Sequence, residues 1–349
     1  MSLTRRQLVT LAGGALAAPA VLRPGRAEAA EVTLKLHHFL PPISAAHSRF
    51  LSPWAKKVEA ESGGRIKVQI YPSMQLGGAP PQLFDQARDG VVDMVWTLPG
   101  YTPGRFRTLE AFELPFVAGR RAITNSLAVQ AYTDANPDDE LGQVRLICAW
   151  AHDHGLIHSR RLVKTLEDLR GLKLRFPTRL AGEALTALGA TAIGMPVPQV
   201  PESLAQGVID GAVIPWEVVP SIKVHELTKY HTDIPGSPTF YTATFLLVMN
   251  RARYGSLPAD LKAVIDANSG TTAARMAGTA WDEASVVGRQ AAEKRGNTFY
   301  TLTEDEASRW RRATQPVVDR WLAETKQRNL DGERLLAEAR ALVARHEKA

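Results

Sequence analysis

Two short constellations could carry chemistry. His152-Asp153-His154 places three possible ligands directly after an apolar run. In an extended segment the two histidines share a face and could hold one metal ion. The chain has no His-Glu-x-x-His, no cysteine cluster and no second carboxylate motif to complete such a site, which favours a hydrogen-bonded or cleft-lining role for them. Arg175 is the second. It lies at the end of the run Leu172–Phe176, immediately before Pro177-Thr178 opens a helix, and ligands of α/β sheets gather at such carboxyl ends. A guanidinium there can grip a carboxylate through two parallel hydrogen bonds, a geometry lysine cannot reproduce. On position alone a surface salt bridge is equally compatible. No Gly-x-Ser-x-Gly elbow, phosphate-binding loop or Gly-x-Gly-x-x-Gly follows a candidate strand, which removes the commonest signs of hydrolases, nucleotide hydrolases and dinucleotide oxidoreductases. The expectation is therefore a protein with no catalytic residues, no cofactor and no metal.

Short β-like runs alternating with helical patterns must position these residues. The runs are Val32–His37, Arg65–Tyr71, Val91–Trp96, Arg145–Ala151, Leu172–Phe176, Thr191–Met195 and Gly211–Ile214. Their alternation with helices predicts an α/β fold with parallel sheets covered on both faces. Ser44 is placed to cap a helix ending near Glu61, where Ser62-Gly63-Gly64 stops it, and Trp54 falls on its apolar face. Phe240–Asn250 is a longer apolar run suited to crossing back between two lobes. From Leu257 onward the pattern is mainly helical, with Trp310, Val317 and Trp321 on one face and Pro316 expected to kink or break that helix. The predicted organisation is two-lobed and discontinuous. Residues 30–153 begin lobe I, 154–239 form the first part of lobe II, 240–278 return to lobe I, and 279–349 form long C-terminal helices packing on both.

The first 29 residues read as an export signal rather than part of a domain. Arg5-Arg6 precede a moderately apolar run from Leu8 to Leu22, and Ala27-Glu28-Ala29 supplies a small-x-small cleavage pattern. The paired arginines fit twin-arginine export, so the expected location is the periplasm. Cys148 is the single cysteine, so no internal disulfide can staple the chain and stability must come from its cores. The formal charge of +6 overstates the basicity of the mature chain, because Arg5, Arg6, Arg23 and Arg26 sit in the signal against Glu28. The remaining charges are interspersed, which argues against a nucleic-acid track.

Taken in order along the chain, several segments resemble the substrate-binding proteins of tripartite ATP-independent periplasmic (TRAP) transporters, DctP-like family. They are Tyr71-Pro72-Ser73-Met74-Gln75-Leu76-Gly77-Gly78, Gly90-Val91-Val92-Asp93-Met94, Glu113-Leu114-Pro115-Phe116, Leu166 through Arg175, and Gly207-Val208-Ile209-Asp210-Gly211 before Pro215. The resemblance implies a two-lobed periplasmic binding protein fold with crossing strands and a cleft that closes over a small organic carboxylate. It also implies delivery to a two-component integral membrane permease, and assigns Arg175 as the carboxylate partner. Matched positions add Phe39, Trp96, Thr97, Thr178, Val197 and Ile214, with Trp216 as a further wall. Ile214 stands where sugar-acid binders often carry an asparagine, and Gly155-Leu156-Ile157 lacks their second arginine. That departure predicts a drier cleft and a ligand with one carboxylate and an apolar or aromatic body. A 2-oxo acid is an option, with His152 or His154 donating to its second oxygen. The protein is expected to be a monomer. A ligand-presenting subunit for a membrane sensor kinase and an exported enzyme remain as alternative readings.

Overall fold

The computed structural model describes residues 30–348. The signal expected over residues 1–29 lies outside the described residues. Two mixed sheets, each covered by helices, divide the chain. The first joins β1 (Val32–His37), β2 (Ile66–Tyr71), β3 (Met94–Thr97), β4 (Val144–Ala151) and β10 (Thr244–Asn250) in the order β2-β1-β3-β10-β4. The second joins β5 (Leu156–Ser159), β6 (Lys173–Phe176), β7 (Thr191–Gly194), β8 (Gly211–Ile214), β9 (Tyr230–Asp233) and β11 (Thr298–Thr301) in the order β11-β9-β5-β8-β6-β7.

The expectation of parallel sheets needs correction. β1 runs parallel to β2 and β3, but β10 enters between β3 and β4 antiparallel to both. β5 is likewise antiparallel to β8 and β9. The cause is the discontinuous topology. β4 of the first sheet leads through residues 152–155 into β5 of the second, and the chain returns through residues 234–243 into β10. A strand arriving from the other half meets the local βαβ units head-on. The two crossings touch through an isolated bridge between Gly155 and Tyr241.

Most of the apolar runs named from sequence fill the cores, but Val91 is exposed ahead of β3 and the edge strand β7 has no buried residue. Trp54 is buried against the Asn268 carbonyl, to which its indole N–H donates at 2.8 Å. Trp310, Val317 and Trp321 are buried along one face of the Glu304–Gln327 helix. That helix runs through Pro316 without ending. A proline inside a helix removes one donor to the carbonyl four residues earlier, and the buried residues on either side hold the helix together across that gap. Among the described residues no helix is long and apolar enough to cross a membrane.

Three short strands, β5, β9 and β11, escape sequence reading because each has only four residues and mixes polar with apolar side chains. Two of those polar residues form a buried chain. The His158 Nε2–H donates to the Ile214 carbonyl (3.0 Å), so its Nδ1 accepts from His231 Nδ1–H (2.8 Å), and His231 Nε2 accepts from the Asn297 amide (2.9 Å). This order of donors uses both rings in the neutral form. Burial pulls His231, and separately His38, down to about 3, and holds His158 well below its ordinary value. Opposed to these, burial raises Glu113 to about 7 and Asp153 to about 6.

The signs determine how stability depends on pH. The histidine contribution is complete above about pH 6.5 and is lost as pH falls toward 3, because the unfolded chain takes up protons first. The two carboxyls do the reverse: their contribution is complete below about pH 4 and is lost as pH rises through 6 to 7. Between about pH 6.5 and 4.5 the two trends oppose each other; below about pH 4 the histidines, each removing up to about 1.4 kcal/mol per pH unit, are joined by carboxylates that their partners hold low, such as Asp233 beside His154 and Arg120. Melting temperatures should therefore change little from pH 7 to 4.5 and fall steeply between 4 and 3. An unchanged melting temperature at pH 3 would contradict this account.

Candidate functional site

The carboxyl ends of strands from both sheets converge on one cavity of about 390 Å³ of empty space. Phe39 and Leu40 follow β1, Trp96 and Leu98 belong to or follow β3, and Tyr101 lies in the turn beyond. From the second sheet come Arg175 of β6, Val197 just past β7, and Ile214 with Pro215 at the end of β8. Tyr241 and Ala243 on the return crossing and Phe245 in β10 close it, with His152 and Glu217 completing the wall.

The walls are aromatic. Phe39 stacks on Trp96 with ring centroids 4.5 Å apart, and Tyr101 meets Phe39 edge-on at 5.6 Å. Behind them Trp96 leans on Trp150, Phe245 and Trp281 at 5.8–6.3 Å. Rings so packed have few alternative rotamers, and the slot they form is rigid and dry.

At one wall of this slot sits a buried cation. Arg175 is 2% exposed. Its Nε donates to the Met195 carbonyl at 2.9 Å and its Nη1 to the Val213 carbonyl at 3.4 Å, which fixes the plane of the guanidinium. Nη2 has no hydrogen-bond partner. Burial lowers the proton affinity of the group, yet an arginine in a protein remains charged. An uncompensated buried charge is costly unless an anion arrives. Two hydroxyls stand beside it. Tyr101 Oη accepts from the Val197 N–H at 2.9 Å, leaving its own proton to donate, and Tyr241 Oη has no partner. Burial raises both tyrosines, so both remain donors. Arg175, Tyr101 and Tyr241 together converge three donors on whatever enters.

The structure brings Phe39, Trp96, Arg175, Val197 and Ile214 together around this cavity and leaves four other sequence-named residues outside it. Thr97 is buried in β3 opposite Leu246, and because successive side chains alternate faces it points away from the slot that Trp96 lines. Thr178 is buried against Gly100, where a Cβ would lie 2.4 Å from its methyl group. It therefore forms part of the contact between the two halves. Trp216 packs on His158, His231 and Phe299 at 4.7–5.6 Å, on the far side of β8's end from Ile214.

His154 is the main correction. The chain bends at Asp153, so His152 and His154 do not share a face. His154 lines a separate hollow with Arg120, Asp153 and Asp233, and its Nε2 lies 3.3 Å from the Asp233 carboxylate. His152 does face the cavity, but its Nδ1–H donates to the Asp153 carbonyl (2.6 Å) and its Nε2 accepts from the Ala243 N–H (2.9 Å). Burial pulls it down to about 3. Neither ring has a donor left for a ligand oxygen. Among the described residues no three His, Cys, Asp or Glu side chains are arranged to hold a metal.

Tyr101, Tyr241, Phe245 and Glu217 line the cavity without having been named from the sequence. Tyr101 and Tyr241 lie outside named strands, where periodicity gives no facing. Glu217 did leave a signal: it is an isolated acid inside the otherwise apolar stretch from Gly211 to Val219.

A two-sheet α/β protein with a buried, anion-seeking arginine in a cleft between its halves is a solute-binding protein by architecture. Comparison with known proteins gives the family. Residues 36–325 match the family model described as DctP, bacterial extracellular solute-binding protein, family 7, and the chain belongs to that family. It is a solute-binding protein of the periplasmic TRAP type. A marine-metagenome TRAP solute-binding protein specific for aromatic acid ligands, solved with 3-hydroxybenzoate, is 46% identical with a TM-score of 0.89, over 91% of this chain and 100% of that one. A TRAP solute-binding protein from Rhodoferax ferrireducens, solved with copurified benzoate, is 45% identical with a TM-score of 0.87, over 90% and 98%. One from Bordetella bronchiseptica, with bound (R)- and (S)-mandelate, is 30% identical with a TM-score of 0.83, over 90% and 99%.

Proposed function

We propose that the protein captures an aromatic monocarboxylate in the periplasm and delivers it to a two-component TRAP permease. The observation that carries this reading is the unpaired Nη2 of buried Arg175, facing a slot walled by Phe39, Trp96 and Phe245. The carboxylate receives the guanidinium and the Tyr101 and Tyr241 hydroxyls, while the ring slides between the aromatic walls. Benzoate and 3-hydroxybenzoate in the two relatives near 45% identity support the same ligand class.

The walls also argue against other acids. Among the described residues Arg175 is the one cationic side chain lining the cavity, so a dicarboxylate would leave its second charge buried and unpaired. Val197 and Ile214 present methyl groups where a hexuronate would need partners for its hydroxyls. Closure follows from the two crossings: the halves rotate as bodies about residues 152–155 and 234–243, and the Arg179–Glu110 (2.8 Å) and Arg120–Asp233 (2.6 Å) ion pairs join them when shut. Export by the twin-arginine route rests on Arg5-Arg6, and changing both to Lys should leave precursor in the cytoplasm, whereas normal export would contradict that route.

The testing experiment is calorimetric titration with benzoate, phenylacetate, succinate and glucuronate. An aromatic acid should bind at least about a hundredfold tighter than either of the others, equivalent to about 2.7 kcal/mol. Preference for succinate or glucuronate would overturn the reading.

A further inference from the structure

Glu217 is 7% exposed and lines the same cavity as Arg175. Its Oε2 has no hydrogen-bond partner. The indole N–H of Trp281 is the neighbouring donor, and it too is unpartnered within normal geometry. Arg175 does not satisfy the carboxyl, since its own Nη2 is free.

Two other buried acids behave differently. Glu113 accepts from the Thr244 N–H (3.2 Å) and hydroxyl (2.9 Å), and Glu110 takes Arg179 at 2.8 Å and the Trp321 indole at 3.2 Å. Both of these carboxyls are given partners, as buried polar groups almost always are, whereas Asp153 Oδ1 and Glu217 Oε2 lack one, and of those two only Glu217 lines the cavity that holds Arg175. A carboxyl left unsatisfied in the wall of the ligand cavity has a group missing that the ligand can supply.

The chemistry of that group follows from the state of the acid. Burial, reinforced by Asp153 behind it, holds Glu217 well above the usual carboxylate range. Burial thus favours the protonated carboxyl, which has one O–H to donate and one carbonyl oxygen to accept. A hydroxyl group is its complement, donating and accepting through one atom. An ammonium would require Glu217 to ionise in the driest part of the cleft.

We propose that Glu217 is a hydroxyl-reading subsite, making this protein selective for aromatic carboxylates that carry a meta or para ring hydroxyl. The proposal rests on the aromatic-acid reading above. Arg175 holds the carboxylate, the aromatic walls hold the ring, and Glu217 meets the hydroxyl on the remaining wall.

The test is calorimetric titration of wild type, Glu217→Gln and Glu217→Leu with benzoate and the 2-, 3- and 4-hydroxybenzoates, alongside melting of each ligand-free protein. Wild type should bind 3- or 4-hydroxybenzoate about tenfold tighter than benzoate, the scale of one net hydrogen bond. 2-Hydroxybenzoate should show no such gain, because its hydroxyl is bonded to its own carboxylate. In Glu217→Leu the advantage should vanish, read as the ratio of hydroxybenzoate to benzoate affinity within that one variant. Glu217→Gln, which keeps a donor and an acceptor, should retain part of the advantage and serves as the deciding variant if the leucine protein does not fold. Benzoate binding as tightly as the hydroxybenzoates in wild type would overturn the subsite alone. So would an advantage that survives both substitutions, or preference for 4-(aminomethyl)benzoate. Wild type that binds none of these acids would overturn the aromatic-acid reading, and the subsite with it.

Discussion

Arg175→Ala is expected to lower affinity for an aromatic carboxylate at least a hundredfold. A charge-assisted hydrogen bond contributes about 1.5 to 3 kcal/mol in net terms, and leaving a desolvated carboxylate without its partner costs about 3 to 5 kcal/mol. Each 1.4 kcal/mol is a factor of about ten in affinity. The side chain also donates to the Met195 and Val213 carbonyls, which water can reach in an open cleft, so the ligand-free melting temperature should fall by only a few degrees. Arg175→Lys separates charge from geometry. It keeps the attraction but loses the fixed fork that Met195 and Val213 orient, so its affinity should lie between those of wild type and Ala. Calorimetric titration with benzoate, beside melting of the free proteins, reads both effects. Wild-type affinity in Arg175→Ala would remove the anchor role, and an unfolded ligand-free mutant would make Arg175 structural.

Gly155→Ala should be a damaging single-methyl change that reaches the ligand site as well as stability. Gly155 lies where the outgoing crossing meets the returning one, and its N–H donates to the Tyr241 carbonyl at 3.1 Å. A Cβ built there would sit 2.0 Å from Tyr241 Cε1 and 2.4 Å from its Cζ, well inside contact distance. Tyr241 is buried against His152 and Phe240 and can move only into the ligand cavity it lines. Overpacking of this kind costs about 1 to 3 kcal/mol or more. The variant should melt several degrees lower and also bind ligand more weakly. Removing the ring tests the cause: in a Tyr241→Ala background, adding Gly155→Ala should cost little. Wild-type melting of Gly155→Ala would show that the crossing tolerates a side chain.

How much of this was legible from sequence depended on where regular structure ends. Arg175, Phe39, Trp96 and Ile214 lie in strands or within two residues of their carboxyl ends, where α/β topology gathers ligands, and a period of two fixes which side chain faces inward. That period puts Thr97, one residue past Trp96, on the other face, and it no longer applies at Trp216, which lies beyond the end of β8. His154 was misplaced because an extended geometry was assumed through Asp153, where the chain bends. Tyr101 and Tyr241 come from irregular crossings whose facing is set by tertiary packing alone. The mixed sheets were missed for a related reason: the returning strand β10 was read correctly as a crossing, but its direction relative to β3 and β4 depends on which strands it separates.

The central claim is that one carboxylate lies on Arg175 with its ring in the aromatic slot, and a crystal structure with bound benzoate tests it most directly. The account predicts a carboxylate oxygen within hydrogen-bond distance of Arg175 Nη2, a second in reach of the Tyr101 or Tyr241 hydroxyl, and the ring between Phe39, Trp96 and Phe245. A carboxylate placed away from Arg175, or a ligand seated in the hollow beside His154 and Asp233, would contradict it.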